Sequence, residues 1–141
     1  MLSNAKIEKI KCDILGKKYS LSVAFVTAEV SHEINKKYRK KDKPTNVLSF
    51  ALRRDEGELV LCKSVIKKEA KELQRNADDW LIFLVIHGML HLKGMAHGSI
   101  MEKAENKFWK KYGKEYISSN RHRLKDDASR GGRIRKRRKK S

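Results

Sequence analysis

The thirteen residues from Trp80 to Leu92, WLIFLVIHGMLHL, contain no Asp, Glu, Lys or Arg. The run is too long for an ordinary strand, and apolar side chains fall on every face of the helix it would form. A helix without a polar face has to be covered on all sides, so the rest of the chain must pack around this one. It is too short to span a bilayer. Asp78 or Asp79 is expected to cap its start, where a side-chain oxygen can accept from the free N–H groups of the first turn. Gly94 is expected to end it in a left-handed turn.

On either side of that run the periodicity changes. Ile7, Ile10 and Ile14 recur at helical spacing, with Ser3 or Asn4 as a cap and Gly16 as a stop, which predicts a helix over about 4–15. Leu21, Val23 and Phe25 alternate as a strand does. Thr27 caps a second helix with the apolar stripe Val30, Ile34 and Tyr38, which places Tyr38 in the core. That helix must stop before Pro44, because the residue preceding a proline avoids the α region. Thr45 and Asn46 read as turn chemistry after the proline. The β-rich runs 46–52 and 58–62 flank RRDEG and predict a hairpin. Ser64 opens a further helix with Val65, Ile66, Glu69, Ala70 and Leu73. A last one, over about 100–116, offers Met101, Ala104, Phe108 and Tyr112. The sum is an α/β (α+β) domain over residues 1–118: a small mixed sheet of about three strands packed around a buried central helix, with flanking helices.

Three histidines, His87, His91 and His97, stand at i, i+4 and i+10. The first two share a face of the central helix, one turn apart. A left-handed residue at Gly94 lets the chain double back and present the third. A single buried histidine is ordinarily satisfied by a core hydrogen bond. Three of them, two on an otherwise apolar helix, are better satisfied by one shared divalent ion, because buried imidazoles need partners. Zinc suits an all-nitrogen set, and three protein ligands leave one position open, as catalytic zinc sites do. The spacing HxxxHxxGxxH is also that of metzincin proteases, which place a glutamate directly after the first histidine as general base. Here that position is Gly88, so a peptidase mechanism lacks its base.

Charge points to a different target. The chain of 141 residues carries +18, with 35 Lys and Arg against 17 Asp and Glu, and half of that excess lies in residues 121–141. Such a surplus favours polyanions, which turns attention from peptides to phosphodiesters. The segment 119–141 is nearly devoid of apolar residues and is expected to be a basic tail, disordered when unbound. Lacking aromatic residues, it would contact phosphates without reading bases. The N-terminal MLSNAKIEKIKC places charges where a signal peptide needs an apolar core. Cys12 and Cys62 form no CxxC and read as two reduced, buried thiols. The cytoplasm, with no membrane association, is the expected compartment, and a monomer the default state.

The segment HGMLHLKGMAH resembles the YbeY endoribonuclease signature HGxLHLxGxDH, and YRKKDKPTNVLSF (38–50) is similar to that family's YRxKDxPTDVLSFP. The resemblance runs from about Ser20 to Tyr116. It implies a metal-dependent ribonuclease fold in which His87, His91 and His97 hold one zinc per chain. It further implies a role in ribosomal RNA maturation and in quality control of the small ribosomal subunit. Arg39 matches the family arginine thought to hold substrate phosphate, although an arginine at a helix C-terminus also serves routinely as a partner of the last carbonyls. Three positions depart from the pattern: Asn46 for the usual Asp, Ala51 for proline, and Ala96 for the acid before the third histidine. The alternative to a zinc-dependent single-strand endoribonuclease is a non-catalytic, zinc-stabilised RNA- or ribosome-binding module. The ion's fourth ligand separates the two.

Overall fold

The computed structural model describes residues 2–113. The elements follow in the order α1 (Asn4–Ile14), β1 (Ser20–Phe25), α2 (Ala28–Arg39), β2 (Val47–Arg53), β3 (Glu56–Leu61), α3 (Lys63–Glu72), α4 (Ala77–Leu92) and α5 (Ser99–Tyr112). The three strands form one mixed sheet in the order β1-β3-β2, with β1 parallel and β2 antiparallel to β3. The architecture expected from the periodicities is therefore present. The segment 119–141 and residues 114–116 of the expected last helix lie outside the described residues. The helix ends at Tyr112, where Gly113 turns extended.

The apolar run Trp80–Leu92 forms most of α4, and eleven of the helix's sixteen residues are buried. It packs on the inner face of the sheet and is flanked by α1, α3 and α5. Leu81, Ile82, Phe83, Leu84, Val85, Ile86, Met89 and Leu90 are all buried along it. Fully burying one such side chain contributes about 1.5–3 kcal/mol, so no other element contributes as much apolar burial. Phe83 stacks on Trp80 (4.9 Å between centroids, 7° between planes) and meets Trp109 of α5 at 4.5 Å. Neither Asp78 nor Asp79 caps the helix. Asn76 does so, its side chain accepting from the N–H groups of both aspartates. That leaves the aspartates in the first turn, where the helix dipole favours negative charge.

The hairpin is tighter than RRDEG implied. Arg53 pairs with Glu56 across a two-residue turn, Arg54–Asp55, with a register irregularity between Ala51 and Arg53. Gly57, which read as a turn glycine, lies within β3, where a Cβ would sit 2.3 Å from the Tyr19 hydroxyl oxygen. The glycine answers a close packing contact there. Cys12 and Cys62 are both free, but only Cys62 is buried; Cys12, on the rim of α1, is half-buried.

The helix α2 departs most from expectation. Thr27 caps it as read, its hydroxyl accepting from the N–H of Val30. Its apolar stripe, however, is not its most buried face: Val30 and Tyr38 are exposed and Ile34 is half-buried, whereas Ser31 and Asn35 are buried. The physical reason is the loop that follows. Ser31 Oγ donates to the Thr45 carbonyl at 2.8 Å and accepts from the Thr45 N–H at 2.9 Å, while Asn35 Nδ2 donates to the Lys43 carbonyl at 2.8 Å. The returning chain has backbone groups to satisfy, and α2 turns its polar face to them. Thr45 and Asn46 are accordingly buried anchors, not turn residues. Asn46 Nδ2 donates to Glu69, which also accepts from the Trp80 indole N–H.

Candidate metal centre

His87 and His91 project from the last two turns of α4, one turn apart and half-buried. The helix then stops in a double hydrogen-bonded turn: the Gly94 N–H donates to the His91 carbonyl at 2.9 Å and the Met95 N–H to the Leu90 carbonyl at 3.0 Å. This pair of bonds is the Schellman motif, which demands a left-handed residue directly after the cap. Gly94 supplies it, with φ at 102°. The chain reverses there, and His97 returns to the helix end. One ligand atom from each of His87, His91 and His97 lies within 4.8 Å of the others, as the spacing anticipated.

The orientation of two rings is fixed from behind. His91 Nδ1 faces the Met95 carbonyl at 3.0 Å. A carbonyl can only accept, so that nitrogen carries the proton and Nε2 presents a lone pair. His87 Nδ1 donates to Glu105 Oε2 at 2.5 Å, and the Glu105 side chain is 3% exposed. Burial, followed by the charge of His87, pushes His91 down to about 4 from its ordinary 6.5, which holds it neutral and available as a ligand at neutral pH. His87 and His91 turn their Nε2 atoms to the same space, 3.1 Å apart. His97 Nε2 stands at the same 3.1 Å from His91 Nε2. A divalent cation in that space would be reached by a nitrogen from each of the three rings. Metal–nitrogen bonds of about 2.0–2.1 Å place tetrahedral ligand atoms about 3.3 Å apart. The donor set thus fits a divalent ion in both chemistry and spacing.

Gly88 has a separate explanation. A Cβ built at that position would meet Leu59 Cδ2 at 2.7 Å and Val47 Cγ2 at 3.4 Å. Position 88 therefore faces the sheet, where the helix lies too close to admit a side chain without displacing Leu59. A glutamate here would run into the core and not toward the histidines.

The three histidines open into a cleft of about 390 Å³ between the end of α2, the start of β2 and α4. Arg39 lines the same cleft, as do Lys41 and Tyr38, while Trp80 and Leu84 form an apolar wall. Arg39 is the last residue of α2 and is exposed; the left-handed Lys40 (φ 56°) directly after it ends the helix at the cleft rim. Glu105 was not anticipated. Its signal was present all the same, because positions 101, 105, 108 and 112 share one face of α5, and a carboxylate on an apolar stripe requires a buried partner. In metal sites such a carboxylate fixes the ring's tautomer and raises the basicity of the ligand nitrogen.

Residues 2–118 match the family model of endoribonuclease YbeY. The chain belongs to the YbeY endoribonuclease family. A relative of that name from Staphylococcus carnosus is 40% identical over 114 residues, covering 72% of this chain and 69% of its own. Another from Colwellia psychrerythraea is 42% identical over 94 residues, covering 62% and 61%. The fold is also that of the solution structure of a Thermotoga maritima protein, 26% identical, with a TM-score of 0.60 over 84% of this chain and 89% of the other. No helix among the described residues is long and apolar enough to cross a membrane.

Proposed function

We propose that this chain is a zinc-dependent single-strand endoribonuclease, acting in the cytoplasm on ribosomal RNA during its maturation and in quality control of the small ribosomal subunit. The observation that carries the reading is the convergence of three imidazole Nε2 atoms on a cleft that Arg39 also lines. His87, His91 and His97 would hold one zinc ion per chain, with Glu105 and the Met95 carbonyl keeping two of the rings in the ligating tautomer. Among the described residues, the group of candidate ligands stops at these three, which leaves room for a substrate oxygen or water. When bound, the ion supplies Lewis acidity to an oxygen at the scissile phosphate.

The chain's own contribution is positioning and charge. Arg39 presents a planar, two-pronged donor set that matches phosphoryl oxygens and offsets the charge that builds on them. The wall of Trp80 and Leu84 lowers the local dielectric on one side and strengthens that attraction. With Gly88 turned to the sheet, no side chain at that position takes part. Elemental analysis should find close to one zinc per chain, with cleavage of ribosomal RNA lost on chelation and restored by zinc. His91→Ala should lose the ion. Arg39→Ala should abolish cleavage with metal content and melting temperature nearly unchanged, and Arg39→Lys should restore only part of it. A zinc-loaded protein that binds ribosomal RNA but never cuts it would favour the non-catalytic module. Equal cleavage by wild type and Arg39→Ala would remove this residue from the mechanism.

A further inference from the structure

Tyr38 is the feature the mechanism leaves unused. It is a large aromatic residue, 61% exposed, on the rim of the very cleft that holds the histidines. The ring does not simply hang in solvent. Phe50 of β2 meets it edge to face, 5.4 Å between centroids and 70° between planes, and lines the same cleft. An edge-to-face contact holds a ring in place without stacking a second ring on it, and most of the Tyr38 side chain stays open to solvent. Lys37 Nζ lies 5.4 Å from the ring centroid, a loose cation–π distance from which the amine can move onto a phosphate.

The surroundings say what such a ring could receive. Between Lys36 and Lys43 six of eight residues are cationic, and the one carboxylate, Asp42, is engaged by His32 Nε2 at 2.7 Å and Lys36 Nζ at 3.9 Å. A positive collar with an exposed aromatic inside it is how proteins hold single-stranded nucleic acid: cations follow the backbone and a ring stacks on a base. Duplex bases are already stacked on each other and offer no free face. A protein partner fits less well, because the collar would leave most of its cations unpaired against a mixed surface.

We propose that Tyr38, braced by Phe50, is a stacking platform for one unpaired base of an RNA strand whose neighbouring phosphate lies at Arg39 and the histidines. This rests on the nuclease reading and adds a specificity element to it. The platform selects strands with a base free to splay out and is indifferent to which base it receives, because every base has a π-face.

The test uses the full chain and a short fluorescein-labelled single strand of DNA in mixed sequence, which probes stacking and phosphate contacts without ribonuclease turnover. Binding is followed by anisotropy. Tyr38→Ala and Tyr38→Leu should each weaken binding roughly tenfold or more, the loss of one base–aromatic stack. Leucine retains apolar contact with Phe50, so an equal loss in both separates stacking from packing. Tyr38→Phe should bind like wild type. Tyr38→Trp should bind at least as tightly, with its added fluorescence quenched by the strand. The same sequence as a duplex should bind all variants alike, and the salt dependence should be unchanged by Tyr38→Leu, because no cation is removed. Wild-type affinity in Tyr38→Leu, or an equal loss on duplex, would overturn the proposal. If wild type cuts no RNA yet the Tyr38 pattern holds, the platform stands and the nuclease reading fails; metal-dependent cutting without the pattern gives the reverse.

Discussion

Helices α2 and α4 both end at the same cleft, yet they are held in place by opposite means. The helix α4 is apolar on every face and buried along most of its length. The helix α2 leaves both ends of its apolar stripe, Val30 and Tyr38, exposed and docks through the side chains of Ser31 and Asn35. Helical spacing reports which residues share a face; it does not report which face meets a neighbour. Where no polar face exists the ambiguity vanishes, which is why α4 could be placed from its residues and α2 could not. The cleft follows the same division: two of the three candidate ligands, His87 and His91, sit on the core helix, and the cleft-lining Arg39 and Tyr38 sit on the one fastened by a few hydrogen bonds.

Substitutions can break this contrast in order of size. The largest effect is expected at Gly88 on α4. Replacing it by Glu restores the protease-like sequence but drives a carboxylate into Leu59, so unfolding free energy should fall by about 3 kcal/mol or more, with no peptidase activity gained. A stable Gly88→Glu protein would show that the helix–sheet spacing is looser than described. Next comes Ser31→Ala, which orphans both backbone groups of Thr45. It should cost about 1–3 kcal/mol in chemical denaturation, far more than a serine on a solvated helix face. The smallest is Val30→Ser, which tests the exposed start of the stripe. It should change stability by no more than about 0.5 kcal/mol. A loss on the scale of a core valine would mean that the stripe is covered after all.

The parts of the molecule that were legible in the sequence are those set by local pattern. The all-apolar run, the strand alternation of Leu21, Val23 and Phe25, and the turn glycine between His91 and His97 each constrain the backbone within a few residues. The histidine set was readable for the same reason, since two ligands share a helix face and the third needs only one reversal. What escaped was settled by partners distant in sequence. Glu105 matters because it meets His87, eighteen positions away, and Asn46 because it meets Glu69, twenty-three away. Gly57 and Gly88 looked like a turn residue and a missing base. Both are spaces cleared for something else, the Tyr19 hydroxyl and the Leu59 side chain. Tyr38 was assigned to the core by its spacing, and its exposure shows only once the loop through Thr45 has claimed the other side of α2.

The three candidate ligands are also unequal in how firmly they are anchored. His87 and His91 belong to a helix fixed by the core, whereas His97 is exposed and hangs from a short reversal that begins at Gly94. The pair forms a seat and the third a latch. His87 and His91 would offer an ion two nitrogens held by the core, and His97 would complete the set from outside the helix. A change at Gly94 would therefore move the third nitrogen and leave the first two where the core holds them.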